Sequence, residues 1–191
     1  MRGRFVRVKY NAPVILTFTF LALLSYALGV LTNGLTTRLI FSNYRTSFSD
    51  PLEYVRLFSY ILGHANWEHL SGNFIIILMV GPMLEEKYGS KVLVRLILIT
   101  AFISGVIHMF LFNDMLLGAS GIVYMFIILS SFVNAREGEI PLTLIIVFCI
   151  FVGKEIYEGV VSPDNISQMT HIIGGICGAF FAFNKKIIDR L

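Results

Sequence analysis

Long apolar runs dominate the pattern of hydrophobic and polar positions along the chain. Six can be marked, at residues 14–31, 74–84, 92–112, 122–133, 142–152 and 169–183. A helix that crosses about 30 Å of hydrocarbon needs about 20 residues, which only the first and third runs supply alone. The others reach that length only when they are extended through polar residues. The pattern therefore predicts an all-α, polytopic membrane protein with six transmembrane helices in a single domain, residues 1–191, with spans at about 13–32, 69–86, 91–112, 119–134, 141–155 and 168–184.

Composition supports a membrane protein, because hydrophobic residues make up 56% of the chain and charged residues only 14%. Soluble domains usually carry about 25% charged residues. The basic residues sit beside apolar runs and form no continuous stripe, so we expect no nucleic-acid partner. Cys149 and Cys177 lie in apolar runs without metal-ligand spacing and are expected to be buried free thiols.

The basic residues also orient the predicted spans. If the N-terminus is inside, four of the 15 lysines and arginines lie outside and the remaining 11 lie inside; the outer four are Arg38, Arg45, Arg56 and Lys154. This bias predicts that both termini are cytoplasmic. The outer segment 32–69 is rich in aromatic residues and is expected to rest on or in the outer leaflet. We found no transit peptide or extra domain, so we expect a prokaryotic inner membrane.

Unusual residues gather where spans two, four and six begin. In this topology all three spans run from outside to inside, so their first residues lie at one depth near the outer face. Span two begins with His69 and Asn73, span four with residues 118–121, and span six with residues 168–171. Polar groups at such positions are costly beside lipid, which predicts a water-filled cavity with a functional role.

Ser120 is the candidate nucleophile among the residues at the beginnings of these three spans. It lies in the sequence Gly118-Ala-Ser120-Gly121 at the entrance to a predicted helix. Glycine allows a sharp turn, and the unpaired N–H groups of a helix N-terminus can receive a developing oxyanion. Small residues also let membrane helices pack closely, and on this motif alone the packing interpretation is equally good.

His171 is the candidate base. Gly174 and Gly178 follow it, and their spacing would let span six approach another helix closely and bring the imidazole beside Ser120. Tyr124, one turn after Ser120, could pack against the imidazole. Span six contains no Asp or Glu, so we expect a Ser/His dyad whose ring is oriented by packing or by a hydroxyl. A structural histidine bonded to a backbone carbonyl is the alternative.

His69 and Asn73 are spaced i, i+4, which places both side chains on one face of span two. A histidine and an amide donor suit oxyanion stabilisation. The alternative is a pair that caps the helix and anchors a loop.

Taken in order, these residues resemble the rhomboid family of intramembrane serine proteases from about residue 54 to 183. The resemblance rests on Arg56, His64-Ala-Asn-Trp-Glu-His69-Leu-Ser-Gly-Asn73, Glu85 with Gly89-Ser90, Gly118-Ala-Ser120-Gly121 with Tyr124, and His171 with Gly174 and Gly178. It implies a rhomboid-like bundle, a Ser120–His171 dyad, and an oxyanion hole formed by His69, Asn73 and the Ser120 N–H. It also implies that the loop carrying Arg56 is a structural element partly in the membrane. Rhomboids usually have a small residue where this chain has Met125, so contact between spans four and six could be looser or displaced.

The expected reaction is acyl transfer to Ser120 followed by hydrolysis, without a metal or other cofactor. The expected partners are membrane lipid and single-span substrates, cleaved near the outer face beside helix-weakening Gly or Pro and at a small residue.

One alternative is an inactive rhomboid-like protein that binds membrane helices. Another is a transporter or metal protein using His64, His69, His108 and His171, although no HExxH is present. Span five and the outer loop that follows it are expected to control substrate entry. The alternative is that the loop is an ordinary solvated turn. The oligomeric state is left open.

Overall fold

A computed structural model describes residues 7–133, 139–161 and 165–184, and this part of the chain is helical with no strand. Eight α-helices and one 3₁₀ turn follow in this order: α1 (Pro13–Leu31), α2 (Leu35–Leu39), α3 (Pro51–Ser59), the 3₁₀ turn (Tyr60–Leu62), α4 (Trp67–Tyr88), α5 (Ser90–Leu111), α6 (Ser120–Ser130), α7 (Leu142–Val161) and α8 (Asn165–Phe183). The all-α class is therefore confirmed for the described residues.

The helices α1, α4, α5 and α8 agree with the predicted spans to within about three residues, which is the usual uncertainty of helix ends. The other two differ. Helix α6 ends at Ser130, four residues before the predicted end, and the hydroxyls of Ser130 and Ser131 donate to the Ile127 carbonyl at 2.8 and 3.2 Å. Helix α7 continues to Val161, past the predicted end at residue 155, because the apolar run stops at charged residues that still favour helix.

Two of the described helices, α1 and α5, are long and apolar enough to cross a membrane, with 19 and 22 residues. Shorter apolar segments occur at Ser120–Ser130, Leu142–Phe151 and Gln168–Phe183. The count of six spans and the orientation of the termini stay predictions. Cys177 is buried as expected, but Cys149 is exposed on α7, so its expected burial was wrong.

Helices α6 and α8 meet backbone to backbone. A Cβ atom on Gly174 would overlap the carbonyl group of Gly121, and one on Gly178 would lie 2.6 Å from the carbonyl oxygen of Met125. The expected loosening at Met125 was therefore wrong. Its side chain is fully buried and its backbone, which any residue would supply, provides the surface that Gly178 contacts.

The carboxylate of Glu85, near the end of α4, joins three helices. It accepts hydrogen bonds from the N–H groups of Val14 and Ile15 in the first turn of α1, at 3.0 to 3.1 Å. It also accepts one from the Ser90 hydroxyl at the start of α5, at 2.7 Å. An anion at a helix N-terminus satisfies donors that have no partner within the helix and is favoured by the helix dipole.

The outer segment between α1 and α4 is organised around the buried side chain of Arg56. Its guanidinium donates to the Leu39 carbonyl at 2.9 Å and to the Asp50 carboxylate at 3.1 Å, and lies over the Tyr44 ring at 4.5 Å. The Leu52 N–H and the neighbouring Arg56 hold the pKa of Asp50 below its usual value. A structural role for the segment is consistent with these contacts, and exposed aromatic side chains such as Phe58 suit the predicted contact with lipid.

We predict that Gly174→Ala destabilises the bundle, because the new methyl group would overlap the backbone of α6. The expected loss is about 2 kcal/mol of unfolding free energy, measured by thermal or denaturant unfolding in detergent micelles. The control is Gly175→Ala, whose methyl group would meet Phe151 at an ordinary 3.6 Å and should change stability little. Equal effects of the two variants would contradict the close approach of α6 and α8.

Removing the shared carboxylate should also destabilise the fold. Glu85→Ala leaves the first N–H groups of α1 without their acceptor, and we expect a loss of about 2 kcal/mol in the same unfolding measurement. The neighbouring Glu86 is exposed, so Glu86→Ala is the matched control. A Glu85 variant as stable as the Glu86 variant would show that the hydrogen bonds of the Glu85 carboxylate do not contribute to the free energy of unfolding.

Candidate active site

The N-terminal halves of α4, α6 and α8 surround one open cavity of about 630 Å³. Five of the predicted residues line it: His69, Asn73, Ser120, Tyr124 and His171. Helix α7 closes one side with Val147, Ile150, Phe151 and Lys154. The structure thus brings together residues that are far apart in the sequence.

Ser120 is the first residue of α6, and the backbone before it requires glycine. Gly118 has φ +123°, a conformation that residues with a side chain rarely adopt. A Cβ atom there would also lie 2.7 Å from the His69 ring. The Ala119 carbonyl accepts the N–H groups of Ile122 and Val123 at 2.9 and 3.0 Å, which starts the helix. The Ser120 hydroxyl is consequently presented at a helix N-terminus, where N–H groups point outward from the helix.

His171 lies on α8, in the turn that precedes Gly174. Its neighbour Thr170 packs against Gly121, where an added Cβ would be 3.0 Å from the threonine methyl group. The residue His171 is 7% exposed, and its ring packs on the Tyr124 ring, with centroids 4.3 Å apart and planes at 37°. Packing on an aromatic ring of α6 thus helps to orient the imidazole, as the sequence predicted for Tyr124.

His64, in the segment before α4, was missed as a residue of this site. The amide nitrogen of Asn73 lies 3.1 Å from its Nε2, and the Ala119 N–H lies 3.4 Å from the same atom. Both partners are donors, so Nε2 accepts and Nδ1 carries the proton, which it donates to the Leu62 carbonyl at 3.2 Å. The signal was present in the sequence, since His64 precedes His69 by five residues in the quoted motif.

Burial lowers the pKa of His64 to about 4, and the neighbouring His69 contributes in the same direction. The imidazole is therefore neutral at neutral pH, which its accepting Nε2 requires. A neutral His64 fixes the Asn73 amide and the backbone just before Ser120. We assign it the role of a positioning residue.

The four histidines do not form one cluster. His64 and His69 are adjacent, with ring centroids 4.9 Å apart, but His108 packs on Phe112 away from the cavity. Within residues 7–133, 139–161 and 165–184, no three His, Cys, Asp or Glu side chains are placed to hold a metal ion.

The described helices form an apolar bundle, and its cavity is lined by a serine, two imidazoles and an amide side chain. A family model of the Rhomboid domain matches residues 51–185. The chain therefore belongs to the rhomboid family.

Two curated relatives agree with this assignment. The chain is 34% identical over 139 residues to Rhomboid-related protein 1 of Caenorhabditis elegans, a match that covers 67% of this chain and 39% of the worm protein. It is 29% identical over 154 residues to Rhomboid-related protein 2 of Mus musculus, covering 70% of this chain and 50% of the mouse protein. The chain thus spans half the length or less of these relatives. Both are animal proteins and give no support to the expected prokaryotic membrane.

We predict that stability declines as the pH falls from about 6.5 toward 4. The pKa of His64 is near 6.5 in the unfolded chain and about 4 in the fold, so the unfolded state binds a proton first. The stability that neutral His64 contributes is complete above pH 6.5 and is lost as the pH falls from about 6.5 to about 4. The measured quantity is the midpoint temperature of thermal unfolding at each pH. In His64→Gln, which cannot titrate, the midpoint should depend less on pH there. An unchanged slope would contradict the role of His64.

Proposed function

We propose that this protein is an intramembrane serine protease. The observation that carries the proposal is the common cavity of Ser120, His171, His69 and Asn73, formed where α6 and α8 touch backbone to backbone. Membership of the rhomboid family supports it. Each residue has the chemical capacity that acyl transfer requires.

In the proposed reaction the Ser120 hydroxyl attacks the scissile carbonyl while neutral His171 takes its proton. The oxyanion is stabilised by the Ser120 N–H and by the side chains of His69 and Asn73. His171 then returns the proton to the leaving amine, and water hydrolyses the acyl-enzyme with the same residue as base. The scheme uses no cofactor. The proposed dyad uses no carboxylate, and packing on the Tyr124 ring contributes to the orientation of His171.

The proposed substrates are single-span membrane proteins. A transmembrane helix hides its carbonyls in its own hydrogen bonds, so it must unwind before attack. Cleavage is therefore proposed beside Gly or Pro, at a small residue, near the outer membrane face. This proposal includes the topology of six spans with both termini in the cytoplasm. With that topology, the N-terminal halves of α6 and α8, which carry Ser120 and His171, would lie toward the outer side.

We predict that Ser120→Ala and His171→Ala each lower cleavage of a single-span fluorogenic substrate at least about 1,000-fold in liposomes. Labelling of the wild type by a fluorophosphonate should be lost in Ser120→Ala. The control is Ser130→Ala at the other end of α6, outside the cavity. Equal cleavage by Ser120→Ala would end the assignment. A wild-type protein that binds the substrate helix but neither cleaves it nor reacts with the probe would instead be an inactive helix-binding rhomboid.

A further inference from the structure

A second cavity, of about 400 Å³, takes no part in the proposed reaction. Its walls come from the C-terminal half of α1, from α2 and from the loops that precede α4 and α6. His64 lines it, and the hydrogen-bond partner of His64, Asn73, lines the candidate active site. Small-molecule sites commonly have volumes of about 300 to 1,000 Å³, so the cavity is large enough for a ligand.

Four polar side chains line this cavity without a hydrogen-bond partner in the part of the chain that the structure describes. They are those of Tyr26, Asn33, Thr37 and Arg38. Each can donate a hydrogen bond, and Arg38 adds a full positive charge. None of the described lining residues is acidic. One cation among neutral donors, with no carboxylate beside it, suits an anion that carries several oxygen acceptors.

The surroundings of the cavity are those of a lipid headgroup. Tyr26 packs on the exposed Trp67 with ring centroids 6.2 Å apart, and these two residue types favour the boundary between hydrocarbon and water. On either side of Asn33 in the sequence, Leu31 and Leu35 are 79% and 57% exposed. Such side chains are better covered by acyl chains than by water. A ligand that satisfies both the donors and these leucines is amphipathic.

Phosphate is the anion that phospholipids present at this depth, and a guanidinium can bind it through two parallel hydrogen bonds. We infer that this cavity binds the phosphate of an anionic phospholipid, with Arg38 as its charged partner and the acyl chains over Leu31 and Leu35. A zwitterionic headgroup would bring an ammonium group that finds no carboxylate among the described lining residues. This binding does not depend on the proposed protease function.

A headgroup in this cavity would contact both loops that hold the candidate active site. Leu117 lines the cavity and directly precedes Gly118, where the backbone turns toward Ser120. The residue before it, Leu116, is paired with Asn43 through two backbone hydrogen bonds of 2.7 and 2.9 Å. The ligand thus bridges segments that are distant in the sequence, and it is expected to bind the folded chain and not the unfolded one. Such a ligand stabilises the fold.

The test measures the midpoint temperature of thermal unfolding in micelles of an uncharged detergent, at increasing mole fractions of phosphatidylglycerol. For the wild type we expect the midpoint to rise and then to saturate. The apparent affinity for phosphatidylcholine should be about fivefold weaker. Arg38→Gln should weaken phosphatidylglycerol binding about tenfold, because a charged hydrogen-bonding partner of the phosphate is lost.

Two further variants locate the site. Asn33→Asp places a carboxylate in the cavity and should weaken phosphatidylglycerol binding at least about fivefold. Asn33 has φ +51°, a conformation that aspartate also tolerates, so this variant should fold. Arg45→Gln is the matched control, since Arg45 is an exposed arginine of the same outer segment that does not line the cavity. It should keep the wild-type affinity.

Several outcomes would overturn the inference. Equal responses to phosphatidylglycerol and phosphatidylcholine would reject an anionic lipid, and equal stabilisation by inorganic phosphate would indicate a site for the free anion. Wild-type affinity in Arg38→Gln, or an equal loss in Arg45→Gln, would show that the lipid does not bind in this cavity. Because only unfolding is measured, none of these results bears on the proposed proteolysis.

Discussion

The site depends on the contact between the backbones of α6 and α8. Side chains normally hold helix axes 8 to 10 Å apart, but Gly174 and Gly178 remove that spacer and allow α8 to touch the carbonyl groups of α6. Because the nucleophile and the base come from separate helices, their relative position is only as well defined as this contact. The contact lies one turn or less from both residues, so small tilts of either helix move them little.

Near this contact, a few polar groups are buried among apolar side chains and need hydrogen-bond partners. Asn73 and the Ala119 N–H share the acceptor nitrogen of His64, whose other nitrogen donates to a backbone carbonyl. Burial of an unpaired amide would cost free energy, and burial of a charged imidazole would cost more. A neutral histidine with both nitrogens bonded satisfies both conditions. The network also fixes which way the Asn73 amide faces, a prerequisite for donating to an oxyanion.

Much of this arrangement could be predicted from the sequence, and the failures have physical causes. The apolar runs predicted the long helices, and the alternating direction of the predicted spans led us to expect His69, Ser120 and His171 near one another. All three line the same cavity. Met125 was misjudged because packing against Gly178 uses its backbone, which a residue type does not reveal. His64 was passed over because it lies in a loop and acts on Asn73 from outside the helix. The predicted ends of α6 and α7 were also inaccurate. Helix α6 ends at serine hydroxyls that bond to the backbone, and α7 continues through charged residues that favour helix, and neither effect is visible in the pattern of apolar residues.

The family match begins at residue 51, yet α1 is tied to the core by the carboxylate of Glu85. Without α1 this carboxylate would lose its backbone donors and keep only the hydrogen bond from the Ser90 hydroxyl. The packed helical bundle therefore extends beyond the segment that the family model matches, at least to Pro13. Shortened versions of the protein that start at the family boundary would lose a helix that the rest of the chain is built to accept.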